Sequence, residues 1–364
     1  MNALKPLHVV PGACQLTCAR FSPDGSIVAA GAVDGGVQRW KLENKKLEPL
    51  KPLTGHQGWL SSLAFHPKEP WLFTADSWGR LRCQTFTEEA PPVIWENAAA
   101  HDGWLRQLAL SPDGTQIATC GRDQFVRLWT VQGKPVAEYK HDDDVFLVTF
   151  SPDGKAILFG DQHGHISQWD FAAKKITRTF DVTSMYKMDR MQDLCGLRVL
   201  TFSRDGKLFL VAGCTPNNGA TTQSVPTCLA FDFATGKLKH TFTYGTPKDG
   251  AIEDAIVHPN GYVLAATSGN PGTGRVIRFK AEEKTAFDDT ISLANCQAVT
   301  LHPDGQHFVV VSTSSGSGNG RPKTADGSYP TNVCPVNLYF LPEEAKSVEK
   351  GPNLDAVIDA KVPK

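Results

Sequence analysis

No run of apolar residues in this sequence approaches the roughly 20 needed to carry a helix across a bilayer. The opening Met1-Asn2-Ala3-Leu4-Lys5-Pro6 lacks the basic-then-apolar order of an export signal. The chain is therefore expected to be soluble, unexported and cytoplasmic, with no membrane partner. Charge of one sign is missing too: 37 Lys+Arg stand against 38 Asp+Glu, a formal net charge of -1. Nucleic-acid binders neutralise phosphates and usually carry a basic excess or block, so no such partner is expected. Cysteine is sparse, nine residues in 364, an odd number without zinc spacing: Cys14 and Cys18 are separated by three residues and no histidine follows. Their apolar and β-branched neighbours suit buried reduced thiols, and neither a metal nor a cofactor is expected. Catalytic signatures are also lacking: there is no Gly-x-Ser-x-Gly elbow, no His-Glu-x-x-His helix and no phosphate-binding glycine loop.

What is present is a repeat. The turn Ser22-Pro23-Asp24-Gly25 returns as Ser111-Pro112-Asp113-Gly114 and Ser151-Pro152-Asp153-Gly154, then as Ser203-Arg204-Asp205-Gly206, His258-Pro259-Asn260-Gly261 and His302-Pro303-Asp304-Gly305. His66-Pro67-Lys68-Glu69 is a weaker copy, so the starts 22, 66, 111, 151, 203, 258 and 302 mark seven units spaced by 44, 45, 40, 52, 55 and 44 residues. Before each turn runs an alternating segment such as Val145-Phe146-Leu147-Val148-Thr149-Phe150, the pattern of a strand. Proline fixes φ and Asp-Gly admits the positive φ of a tight reversal. A second β-rich run follows, then a third ending in an aromatic (Phe125-Val126-Arg127-Leu128-Trp129), then a more polar fourth (Pro135-Val136-Ala137-Glu138-Tyr139). Four short strands every 40 to 45 residues describe one propeller blade. Seven blades are favoured over six or eight. If Pro6–Val10 supplies the outer strand of the last blade beside Val336–Phe340, the ring closes without a free edge.

The motifs opening blades, Gly55-His56, Ala100-His101 and Lys140-His141, and those closing them, Trp40-Lys41, Trp129-Thr130, Trp169-Asp170 and Phe231-Asp232, resemble those of the WD40 repeat family. The resemblance runs from about Leu4 to Leu341. It implies an all-β, seven-bladed β-propeller of four-stranded antiparallel blades, closed by N- and C-terminal strands in the last blade. It also implies a non-catalytic scaffold for a protein or peptide partner. Blade three matches the family's hydrogen-bonded set with His101, Thr119, Asp123 and Trp129, which pins strands rather than performing chemistry. Departures are visible: Trp78 and His163 stand in the aspartate place of blades two and four, and Gln84 in a tryptophan place. Phe231, Phe279 and Tyr339 are the expected aromatic substitutes in blades five to seven. Residues 1–341 are read as one domain, monomeric on its own, and 342–364 as a charged tail.

Aligning the first strands places Gln15, Trp59, Trp104, Asp144, Gly196, Ala251 and Asn295 at equivalent positions, with Thr17, Ser61, Arg106, Phe146, Arg198, Glu253 and Gln297 two residues on. Trp59 and Trp104, on adjacent blades, are candidate anchors for a partner, because Trp and Arg are enriched in binding hot spots. Trp78, Arg106, Arg122, Phe146 and Arg198 are expected to extend that patch. The competing reading is that the tryptophans fill space between blades. A propeller enzyme holding a cation through Asp144, Glu253 and Asn295 is the alternative function. Two insertions stand out: residues 183–191 with Met185, Met188 and Met191, expected to cover the propeller edge, and the Gly/Ser-rich 313–323.

Overall fold

A computed structural model describes residues 4–341, apart from 13, 190, 218–222, 270–272, 284, 288–289, 314–326 and 328–333. The expected tail, 342–364, and nearly all of the Gly/Ser-rich insertion lie outside the described residues.

Seven four-stranded antiparallel sheets are present, joined by an extra two-stranded hairpin. Blade one consists of Leu16–Phe21, Ile27–Ala32, Val37–Glu43 and Lys46–Leu53, and the next five repeat that order from the centre outward. Blade seven is built from Cys296–Leu301, His307–Ser312, Pro335–Phe340 and, from the other end of the chain, His8–Pro11. His8 pairs with Leu338 and Pro11 with Pro335, so the ring is closed as the sequence implies, with the strand shifted slightly along the chain. The first strand of each blade touches that of the next, and blade seven's meets blade one's.

The repeated turn has a local cause. In blade one the Gly25 amide donates to the Ser22 carbonyl at 2.8 Å, with Gly25 at φ 75. Asp24 Oδ1 accepts from the Ser22 hydroxyl at 2.5 Å and from the Ser26 amide at 3.1 Å. Where histidine replaces serine, the ring reaches the neighbouring blade instead: His66 Nε2 lies 2.9 Å from the Gly114 carbonyl and His258 Nε2 lies 2.6 Å from that of Gly305.

Between blades the core is apolar and shared. One cluster joins Leu16, Val28 and Trp40 of blade one to Val309, Val311 and Leu338 of blade seven. Strand register puts Trp40, Gln84, Trp129, Trp169, Phe231, Phe279 and Tyr339 at one equivalent place, each opposite the second residue of the neighbouring strand or nearly so. The large rings of blades five to seven thus fill the volume that tryptophan fills elsewhere.

Blades two and four correct the reading of their polar sets. Trp78 and His163 do occupy the turn position held by Asp123, but the aspartate has moved two residues upstream instead of being lost. His56 Nδ1 meets Asp76 at 2.8 Å and its Nε2 meets Thr74 at 2.7 Å, while His141 Nε2 meets Asp161 at 3.1 Å. Blade three carries Gly121 at that upstream place, where an added Cβ would lie 2.6 Å from His101 Nδ1. One carboxylate per blade fits beside the histidine, from either position.

Candidate functional site

The seven first strands share a feature that alternation alone does not reveal. Pairing with the second strand skips one residue in every blade, between Leu16 and Cys18, Leu60 and Ser62, Leu105 and Gln107, Val145 and Leu147, Leu197 and Val199, Ile252 and Asp254, and Cys296 and Ala298. The skipped residues are Thr17, Ser61, Arg106, Phe146, Arg198, Glu253 and Gln297. A β-bulge leaves its extra residue unpaired and re-aims the side chain. The residue after the bulge has a separate task. Ser62, Gln107 and Asp254 accept the amides of Leu108, Val148 and Val299 in the next blade, at 3.3, 2.7 and 3.1 Å. Side chains thereby satisfy the inner strands' open edge.

Five of the seven residues expected to bind a partner line one cavity of about 570 Å³ at the channel mouth: Trp59, Trp104, Arg106, Phe146 and Arg198. Trp59 is 54% exposed and meets Trp104 edge to face at 6.0 Å between ring centroids. The Arg106 guanidinium is sandwiched, 4.3 Å from the Trp104 ring centre and 4.4 Å from that of Phe146. Burial pushes its pKa down, with Asp144 opposing at 4.0 Å. Asp144 is itself pushed above the usual carboxylate range by burial, despite Arg106 and Arg122 beside it. Arg198 donates to Glu253 at 3.1 Å and to the carbonyls of Cys195 and Leu197 at 2.9 and 2.8 Å.

Trp78 and Arg122 stand outside the cavity lining, on the turns that hold its tryptophans. The Ser77 and Arg122 amides donate to the Trp59 and Trp104 carbonyls, each at 2.9 Å. Trp78 is 63% exposed, and Arg122 reaches Asp144 at 3.9 Å. In blade three His101 Nδ1 meets Asp123 at 2.8 Å and Nε2 meets Thr119 at 2.8 Å, while the Trp129 indole donates to Thr119 at 2.9 Å.

The residues named for a channel cation each have another partner. Asp144 faces Arg106 and Arg122, Glu253 accepts from Arg198, and Asn295 donates to Thr313 at 3.1 Å. Among the described residues the group of His, Asp, Glu and Cys close enough to share an ion is His302, Asp304 and His307, on a turn of blade seven.

Gln162, Asp193 and Cys195 are lining residues that were not anticipated. Asp193 and Cys195 both lie on the strand that follows the 183–191 insertion, where Tyr186–Asp189 pairs with Gln192–Cys195 as a hairpin. Met185 is buried, whereas Met188 and Met191 are 59% and 96% exposed, so the expected covering role falls to one methionine of three. The sequence signal was the hairpin's own alternation, hidden by its short length.

No helix among the described residues is long and apolar enough to cross a membrane. The WD domain, G-beta repeat family matches residues 4–41, 47–83, 97–130 and 133–170, which are the first three strands of blades one to four, joined in blades one, two and four by the outer strand that precedes them in the chain. The chain is similar to Periodic tryptophan protein 2 of Arabidopsis thaliana, 25% identical over 56% of this chain and 23% of that protein. It also resembles Small ribosomal subunit protein RACK1 of Drosophila melanogaster, 28% identical over 45% of this chain and 50% of that one. For Guanine nucleotide-binding protein subunit beta of Zea mays the identity is 27%, covering 54% of each chain. The matched regions therefore span about half or less of these relatives. With the WD repeat matched in the first half of the chain and the four-stranded architecture kept in all seven sheets, the chain is a seven-bladed β-propeller whose first four blades are similar to WD domain, G-beta repeats.

Proposed function

We propose that the chain binds a segment of a protein or peptide partner at the channel mouth, with Trp59, Trp104, Arg106, Phe146 and Arg198 as the contact surface and Trp78 and Arg122 at its border. The observation that carries this reading is the exposed Trp59 set edge-on to Trp104 over the cavity those residues line. A half-exposed indole offers a large apolar face and one polar donor, the combination that dominates binding hot spots. Its mounting on first strands bulged and bonded to their neighbours lowers the ordering cost of recognition.

Affinity capture from lysate of the native host tests this, comparing the full chain with Trp59→Ala/Trp104→Ala shown by circular dichroism to be folded. Partners held by the first and lost by the second are expected. A partner set that binds both equally removes the mouth as the binding face.

A further inference from the structure

Resting on that mouth-docking reading, we infer that the bound segment places a Glu or Asp side chain against Arg106. The argument begins with what Arg106 lacks. Its Nε is buried without an acceptor, and among the described residues its side chain donates no hydrogen bond. The nearest carboxylate, Asp144, is 4.0 Å away and is shared with Arg122 at 3.9 Å, so one anion faces two cations. An arginine normally forks five donors toward acceptors.

Three other arginines of the same protein are well satisfied. Arg39 is 1% exposed, yet its guanidinium donates to the Lys51 carbonyl at 2.6 and 3.1 Å, to that of Phe86 at 2.5 Å and to that of Glu88 at 3.0 Å. Arg20 holds Asp254 at 2.7 Å and Arg198 holds Glu253 at 3.1 Å. Arg278 likewise lies near two rings, Tyr262 and Phe287, each at 5.1 Å, but donates to the Tyr262 hydroxyl at 3.4 Å. Arg106 differs in lying in the wall of an open cavity, 4.3 and 4.4 Å from two ring centres, with its Nε unmet.

Charge selects the ligand. Arg106 and Arg122 against Asp144 leave one positive charge, and Arg198 is matched by Glu253. Asp193, which also lines the cavity and accepts the Tyr186 hydroxyl at 2.7 Å, brings that sum to zero, so the positive charge on offer is local to Arg106 and a dianion is opposed. A singly charged carboxylate therefore fits better than a phosphoryl group, and the exposed Trp59 face beside it takes an apolar neighbour. Recognition is then by a charge-assisted hydrogen bond in a partly desolvated setting.

The test pans a displayed library of random 12-residue peptides, fused at their C-termini so that only side-chain carboxylates are presented, on the full chain. Enriched sequences are expected to share an acidic residue beside a large apolar one. Synthetic peptides with Glu, Gln or phosphoserine at that place are then titrated. Glu→Gln should weaken binding to the native protein about 10- to 100-fold, the range of a hydrogen bond to a charged group. Against Arg106→Gln the same change should cost no more than about twofold, the signature of coupling. The inference is overturned by enriched peptides lacking acidic residues, by none being enriched, or by tighter binding of phosphoserine than of Glu. An equal Glu→Gln loss on both proteins overturns it as well. Since Glu→Gln alters only the peptide, that arm does not depend on how well the variant folds. Peptides that need Trp59 but not the carboxylate would sink this inference and leave mouth docking standing. Peptides that bind Trp59→Ala/Trp104→Ala undiminished would remove both.

Discussion

Replacing Asp76 with alanine should destabilise the propeller far more than replacing Trp78, although Trp78 holds the position where the repeat places its aspartate. Asp76 is fully buried. Its Oδ2 meets His56 Nδ1 at 2.8 Å, and Oδ1 accepts the Trp78 and Arg80 amides at 2.9 and 3.1 Å. Alanine would abolish three hydrogen bonds to a carboxylate and leave the His56 ring nitrogen, also buried, without its partner. Hydrogen bonds to charged groups contribute about 1.5–3 kcal/mol each, and breaking a buried pair typically costs about 3–5 kcal/mol. Non-additivity holds the whole near about 4 kcal/mol. With an unfolding entropy of about 0.75 kcal/mol/K for a chain this size, the melting temperature should fall by about 5 °C. Trp78→Ala, removing a side chain 63% exposed, should change stability by less than about 0.5 kcal/mol. Urea unfolding followed by far-UV circular dichroism gives both values under one set of conditions. Should Trp78→Ala cost as much as Asp76→Ala, the account of a carboxylate displaced by two residues is wrong.

Three further outcomes follow from the same contacts. Burial would raise the pKa of Asp76 and Asp161, yet hydrogen bonds from histidines and turn amides outweigh it and hold both below the usual carboxylate range. His101 is pushed down by burial, with Asp123 opposing. In each case the unfolded chain binds the proton more readily, so stability should fall with acid, first below about pH 6.5 through His101 and more steeply below about pH 4 through the aspartates. Urea midpoints measured from pH 8 to pH 3 check this, and a midpoint that rises on acidification refutes it. Burial pushes the thiols of Cys83, Cys228 and Cys296 up to about 12, so the native protein at pH 8 should react little with a chromogenic disulfide reagent. All nine cysteines are free, so nine thiols should react in denaturant, and rapid labelling of several in the native state would contradict their burial. Arg39→Leu should cost about 3 kcal/mol, because three carbonyls lose the donor that joins blade one to the edge of blade two; a thermal melt within 1 °C of the native value, a limit of about 1 kcal/mol, would discount that role.

Blade number and closure were legible because they rest on local chemistry repeated seven times. A Pro-Asp-Gly reversal needs no distant partner, and alternation before it already names the buried face. Polar partnerships were less legible. Asp76 and Asp161 were overlooked because the family pattern points to the turn, whereas the constraint is the distance to a histidine, and two positions in the turn can meet it. The difference was written in the sequence as Asp76-Ser77-Trp78-Gly79 and Asp161-Gln162-His163-Gly164 against Gly121-Arg122-Asp123-Gln124. Where glycine leaves room, the aspartate sits later.

The bulges explain why the channel mouth was readable in outline and not in detail. Aligning first strands picked out five residues that line one cavity, but period-two alternation would have put Arg106 and Phe146 on the same footing as any residue two places along. The extra residue instead leaves the ladder, so strand pairing does not set its side chain. Arg106 lies 4.3 Å from the ring centre of Trp104, two residues before it, and 4.4 Å from that of Phe146 in the next blade. A bulge repeated around the ring takes seven residues out of the ladder. Thr17 and Arg198 still tie neighbouring blades, through the Leu60 carbonyl at 2.5 Å and Glu253 at 3.1 Å, whereas the Nε of Arg106 meets no acceptor. An arginine whose Nε meets no acceptor, beside an exposed tryptophan, is therefore the contact on which the proposed docking most depends.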